Sequence, residues 1–372
     1  MNEAALSPFD AAPQHGPRPL PLFLDMLRKE TGEDAARRHA ALAGLNAYQS
    51  ADRGPPRVLP PVLHRVGRAA LRDYGGAGLP VLFIPSLINP PFILDLAPER
   101  SLLRWLATQG HRVLLLDWGT PGASARAVDI GDHVADMLVP LAAMLADSTG
   151  KPPVLVGYCL GGTMAVAAAS LMPVRGLAMM AAPWRFTGFG EAARARIAAL
   201  WAAAEPVCRS IGLVPMEVLQ SAFWSLDPAR TIAKYEAFAS MAADSGPAKT
   251  FVALEDWANG GAPLTYAAGA QMFDFFARDL PGSGAWQVNG QTIDPRALDC
   301  PTIDFVSTTD RIVPSASAAG FTERHDLRAG HVGMIVGSSA HPQLWTPLAD
   351  WISRAAGARQ APNKTRLQET PP

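Results

Sequence analysis

Residues 153–171 read PVLVGYCLGGTMAVAAASL. A short apolar run of β type ends at Gly157, Cys159 follows two residues later, and Gly161-Gly162 open an Ala-rich helix. Strand, sharp turn and helix therefore meet at one cysteine. So tight a turn leaves no room for side chains at its flanks, which is the physical reason for the glycines. A cysteine at a helix N-terminus sits where the helix dipole favours its thiolate. The backbone N–H of Leu160 then points at a reacting carbonyl oxygen as half of an oxyanion hole. Two other glycine-rich βα turns are excluded, because no lysine follows as a phosphate loop requires and no G-x-G-x-x-G is present. Cys208 and Cys300 have no such surroundings and read as packing residues.

Outward from this segment, VLFIP (81–85), RVLLLDW (112–118), GLAMMA (176–181) and TIDFVS (302–307) are further short apolar runs separated by helical sequence. That alternation predicts βαβ units around a parallel sheet buried on both faces. Between Pro183 and Gly284 the β rhythm stops, and the pattern is helical and rich in aromatics. A β-hairpin is expected at 285–293, where Asn289-Gly290 gives a two-residue turn. The expected fold is α/β, an α/β-hydrolase fold with a mostly parallel central sheet flanked by helices and an inserted, mainly helical cap. The expected division is an N-terminal arm and helices (1–60), a first core half (61–182), the cap (183–284), a second core half (285–356) and a disordered tail (357–372).

In that fold the acid follows a late strand and the histidine comes after it in the chain. Asp310 lies just past TIDFVS, at the carboxyl end of a strand, where active-site groups collect. Of the histidines beyond it, His331 lies in the glycine-flanked AGHVG, whereas His325 reads as a strand or surface residue and His341 precedes a proline. The expected triad is Cys159, His331 and Asp310: nucleophile, base and the group that orients the base. The loop after VLFIP is expected to supply the second oxyanion donor, from Ile88 or Leu87, with Asn89 bracing the loop.

Composition bounds the rest. The 372 residues are 49% hydrophobic, enough for one large core or two modest ones. Charged residues make up 17%, below the roughly 25% of average domains, which suits a surface that meets a partner or an apolar phase. With 32 basic against 33 acidic residues there is no basic excess of the kind nucleic-acid binders carry. Three scattered cysteines make neither a disulfide framework nor a CxxC zinc site, and no metal or cofactor is expected. The start lacks the pattern of a signal peptide, and no apolar run approaches the ~18 residues of a membrane span. The expectation is a cytoplasmic protein.

GYCLGG, SLINPPFILDLAPERSLLRWLATQGHRVLLLDWG, ALEDWANGG, VNGQTIDPRALDCPTIDFVSTTDRIVP and AGHVG together resemble the polyhydroxyalkanoate (PHA) synthases. The resemblance runs from about residue 60 to 355. It implies an acyltransferase that polymerises (R)-3-hydroxyacyl-CoA into polyester through an acyl group carried on Cys159, with His331 activating the thiol and the chain-end hydroxyl. The chain length is closer to the type that works with a second, non-catalytic subunit, and a second subunit or a homodimer is the family's expectation, as is a granule surface. Two other readings share the scaffold. One is a hydrolase of esters, thioesters or intracellular PHA, in which water attacks the acyl-enzyme. The other is a non-catalytic granule protein, against which the complete triad argues.

Overall fold

A computed structural model describes residues 15–357. The expected arm as far as residue 14 and the expected tail from residue 358 lie outside the described residues. Helices α1 (Leu20–Thr31) and α2 (Ala35–Gln49) come first, and the Asp34 carboxylate caps α2 by accepting from the Arg37 N–H at 3.0 Å. Strands β1 (Val62–Val66), β2 (Ala69–Asp73) and β3 (Pro80–Ile84) follow, then α3 (Leu102–Thr108), β4 (Arg112–Asp117), α4 (Val139–Thr149), β5 (Val154–Tyr158), α5 (Leu160–Leu171) and β6 (Gly176–Met180). Five longer helices then run in succession: α6 (Glu191–Ile211), α7 (Met216–Trp224), α8 (Pro228–Phe238), α9 (Gly246–Asn259) and α10 (Tyr266–Arg278). The chain returns to the sheet with β7 (Thr302–Ser307) and β8 (Glu323–Leu327) and ends its described part in α11 (Thr346–Gly357).

Among the described residues eight strands form one sheet in the order β1-β2-β4-β3-β5-β6-β7-β8. Strands β3 to β8 run parallel, and only the β1–β2 and β2–β4 pairings are antiparallel. All residues of β3, β5 and β6 are buried, as continuous apolar runs covered on both faces require. The five runs expected as strands are strands, each within a residue or two. The hairpin at Asn289-Gly290 also forms, with both residues at positive φ, 51° and 74°, as its two-residue turn demands.

Three strands escape the sequence pattern. VLHRV (β1) and ERHDL (β8) are the two edges of the sheet, and β2 joins the edge strand β1 to β4. An edge strand tolerates charge because one side and part of a face remain in water, so its alternation is weak.

The apolar interior divides into three clusters. One fills the face of the sheet carrying α4 and α5 and extends into α10 through Ala268, Met272, Phe273 and Phe275. The second lies on the opposite face, with Phe83, Phe305, Leu344 and Trp351. The third belongs to α1 and α2 packed on α8 and α9, through Phe23, Leu45, Tyr48, Trp224, Tyr235 and Val252. Contact there is so close that a Cβ on Gly44 would lie 1.9 Å from the Tyr235 carbonyl oxygen. The N-terminal helices thus share a core with α8 and α9, although some 180 residues separate them in the chain.

Candidate active site

Strand β5 delivers Cys159 to the sheet's carboxyl edge, and α5 departs from it at once. Cys159 adopts φ 56° and ψ −134°, a region that L side chains rarely occupy and that costs about 1–3 kcal/mol. Its N–H donates to the Met180 carbonyl at 3.0 Å, and its own carbonyl accepts from Gly162 N–H at 2.8 Å, so the turn is pinned from both sides. A Cβ on Gly161 would fall 2.1 Å from the Ile84 carbonyl oxygen, and one on Gly157 would fall 2.3 Å from Gly162 Cα. Only bare backbone lets strand, turn and helix close this tightly.

The short connection after β7 presents Asp310. Its Oδ1 accepts from the N–H groups of Ile312 (2.7 Å) and Val313 (3.1 Å), and its Oδ2 accepts from His331 Nδ1 at 2.6 Å. Both side chains are buried, the carboxylate fully. With Nδ1 committed to Asp310, Nε2 is the nitrogen left for the thiol. Burial opposes the imidazolium, but the negative charges of Asp310 and Cys159 outweigh it and raise His331 from 6.5 to about 10. The arrangement therefore favours a protonated imidazole held between the Asp310 carboxylate and Cys159.

Tyr158, the residue before Cys159, was not among the residues expected here. Its ring stacks on the imidazole and its hydroxyl donates to the His331 carbonyl oxygen at 3.1 Å. Burial first, then the charges of Cys159 and Asp310, push its phenol well above 10, so it stays a neutral donor. Its signal in the sequence was its place as the last residue of a buried apolar strand, directly before the nucleophile candidate.

Cys159 and His331 line one cavity of about 310 Å³. Its walls come from the β3–α3 loop (Ser86, Ile88, Asn89, Pro90), from α7 and α8 (Phe223, Trp224, Lys234) and from α9 (Leu254, Glu255, Trp257). Ser86, Ile88, Asn89 and Pro90 fall in SLINPPFILD and Leu254, Glu255 and Trp257 in ALEDWANGG, whereas Phe223, Trp224 and Lys234 carried no motif and only the aromatic character of 183–284 hinted at them. Leu160 heads α5, where the first N–H groups of a helix have no intrahelical acceptor. Ile88 also lines the cavity, but its N–H donates to the Ser86 hydroxyl at 3.2 Å, so this structure does not hold that donor in readiness for a substrate oxygen. Leu87, the alternative, lines a separate small pocket with Arg68 and Trp118. His325 Nε2 donates to the Gln343 carbonyl oxygen at 3.0 Å, and His341 packs on Trp105; neither lines the cavity.

A strained cysteine between strand and helix, an Asp–His pair from the last two strand-end loops and a mostly parallel sheet define the class. The chain matches the alpha/beta hydrolase family over residues 81–346 and belongs to it. Within that family it is similar to poly(3-hydroxyalkanoate) polymerase subunits PhaC. It is 28% identical to that of Haloferax mediterranei over 79% of this chain and 63% of the relative. The values for Haloarcula marismortui are 28%, 76% and 62%, and for Allochromatium vinosum 26%, 74% and 81%. The chain thus spans less than two thirds of the length of the two haloarchaeal relatives. No described helix is long and apolar enough to cross a membrane.

Proposed function

We propose that this protein transfers (R)-3-hydroxyacyl groups from coenzyme A thioesters onto a growing polyester through an acyl-cysteine at Cys159. The Cys159 thiolate attacks the thioester carbonyl, and the tetrahedral oxyanion is met by the Leu160 N–H at the head of α5. The carbon–sulfur bond to CoA breaks, and His331 gives its proton to the departing thiolate. His331, now neutral, removes the proton from an incoming hydroxyl, whose oxygen attacks the acyl-Cys159 carbonyl. The ester forms and Cys159 leaves as a thiolate beside a protonated His331, so the proton account closes over the cycle. Asp310 holds the imidazole in register and stabilises its cation throughout. In this reading, residues 183–284 are a cap over the acyl site.

The observation that carries the reading is the 2.6 Å hydrogen bond that buried Asp310 accepts from His331, which lines one cavity with the strained Cys159. The nucleophile's identity favours transfer over hydrolysis, because an acyl-cysteine is itself a thioester and exchanges readily with a CoA thiol. The similarity to polymerase subunits supports the choice of substrate. The word subunit in their names supports work with a second chain; a homodimer, a cytoplasmic location and a granule surface belong to the same proposal.

The test is incubation of the purified protein with (R)-3-hydroxybutyryl-CoA, with CoA release and the fate of the acyl group followed together, alone and with a candidate second subunit. CoA release with insoluble polyester, lost in Cys159→Ala, is expected. CoA release with free hydroxy acid assigns the protein to hydrolysis, and acylation that persists in Cys159→Ala overturns the mechanism.

A further inference from the structure

At the cap side of the cavity an ion pair stands in an otherwise largely apolar wall. Lys234 on α8 donates to Glu255 Oε1 on α9 at 2.6 Å, and the Tyr235 hydroxyl donates to Glu255 Oε2 at 2.8 Å. The Glu255 side chain is 8% exposed and that of Lys234 is 34% exposed, so the carboxylate is buried behind the ammonium. Both residues line the cavity that holds Cys159.

Both Glu255 oxygens are occupied, whereas an ammonium has three N–H donors and Glu255 takes one. Three of the neighbouring polar side chains are tied to backbone. Thr231 donates to the Asp227 carbonyl (2.9 Å), Trp257 Nε1 to the Pro90 carbonyl (2.9 Å) and Asn89 Nδ2 to the Ala258 carbonyl (3.4 Å). Apart from His331, Lys234 is the one cationic side chain among the described residues lining the cavity. It therefore presents the cavity's strongest remaining donors away from the reacting cysteine. Because Glu255 already balances the charge, the matching ligand group is an uncharged acceptor. An anion would gain little from a neutral pair and would approach a buried carboxylate.

We infer that Lys234 is a specificity-determining residue, holding a carbonyl oxygen of the substrate remote from the reacting thioester. The inference rests on Cys159 carrying the acyl group. Two parts of such a substrate carry that chemistry: an ester carbonyl of the growing polyester, and an amide carbonyl of the pantetheine arm of CoA. At about 30 Å³ per water-sized group, 310 Å³ admits about ten non-hydrogen atoms, more than the six of one 3-hydroxybutyryl unit. A second carbonyl group thus fits inside together with the first acyl unit.

The test is a binding measurement, separate from turnover. In the Cys159→Ala protein, calorimetric titration with the methyl ester of a linear 3-hydroxybutyrate trimer probes the ester carbonyl, and titration with pantetheine probes the amide. Lys234→Met leaves Glu255 buried without its cation, so the Lys234→Met/Glu255→Gln double variant is measured beside it, with thermal unfolding as the check on folding. Expected is a loss of about tenfold in affinity for one of the two ligands, the size of a hydrogen bond from a charged donor, with Lys234→Arg recovering part of it. The ligand that responds identifies the carbonyl. Unchanged affinity for both ligands in the folded double variant overturns the inference, and so does failure of both to bind the Cys159→Ala parent. Polyester formation by the wild-type protein, measured alongside, judges the catalytic reading by itself.

Discussion

Tyr158 and His331 lie face to face, ring centroids 5.0 Å apart and planes 27° from parallel, while the tyrosine hydroxyl donates to the carbonyl oxygen of the same histidine. One side chain thus fixes both the plane of the imidazole and the backbone that carries it. Tyr158→Phe keeps the stack and orphans a buried carbonyl, which costs about 1–3 kcal/mol. Tyr158→Ala also removes the ring, for about 3–5 kcal/mol. Urea unfolding measures both losses. Turnover is expected to survive in the phenylalanine variant and to fall sharply in the alanine variant, and equal turnover in the two would remove the stack from the account.

Asp310→Asn keeps the shape of the site but not the charge. The imidazolium loses its largest stabilising partner, and turnover is expected to fall by about 10²–10⁴-fold. Trapping of acylated Cys159 in a single turnover separates slow chemistry from loss of folding.

The raised His331 makes stability depend on pH in one direction. Its contribution is complete below the unfolded value near 6.5 and is lost as pH rises through about 10. Urea midpoints measured from pH 6 to 10 are expected to decline more steeply for wild type than for Asp310→Asn. Parallel curves would mean that the pair does not titrate as described.

At the elbow, Cys159→Gly relieves the positive φ whereas Cys159→Ala retains it. The glycine variant is expected to be the more stable of the two, by about 1–3 kcal/mol, although an ordinary helix-start position shows little such gain. Calorimetric unfolding of the two variants is the comparison.

Gly161→Ala sets helix propensity against sterics. Alanine is better by about 1 kcal/mol in a helix, but its Cβ would meet the Ile84 carbonyl at 2.1 Å, and backbone cannot yield cheaply there. Net destabilisation and loss of Cys159 acylation are expected, and an increase in Tm would show that the elbow has slack.

The central strands and the elbow were legible because buried parallel strands are continuous apolar runs and because a sharp βα turn needs its glycines. Asp310 and His331 were legible only by chain order around that elbow, and each was placed by a loop rather than by any periodicity. The edge strand VLHRV was not legible, and ERHDL only through His325, since water on one side lets charge interrupt the pattern. Ile88 illustrates another limit. Its position beside Cys159 follows from the loop, but the capture of its N–H by Ser86 depends on a local backbone geometry that residue types do not encode. The Lys234–Glu255 pair was invisible for a further reason, since its two residues, 21 apart in the chain, meet across two helices, and only Glu255 stands in a quoted motif, ALEDWANGG.

The three apolar clusters are distinct, and the cavity is lined by residues of all of them. Ile88 faces it from the first, Tyr158 and Trp257 from the second, and Trp224 from the third, which is the one built on α1 and α2. An apolar chain lying there is in effect a fourth packing element, a shared keystone for cores that the polypeptide alone leaves apart. The helices of the first fifty residues, remote from Cys159 in sequence, are by the same geometry the abutment on which one side of that arch stands.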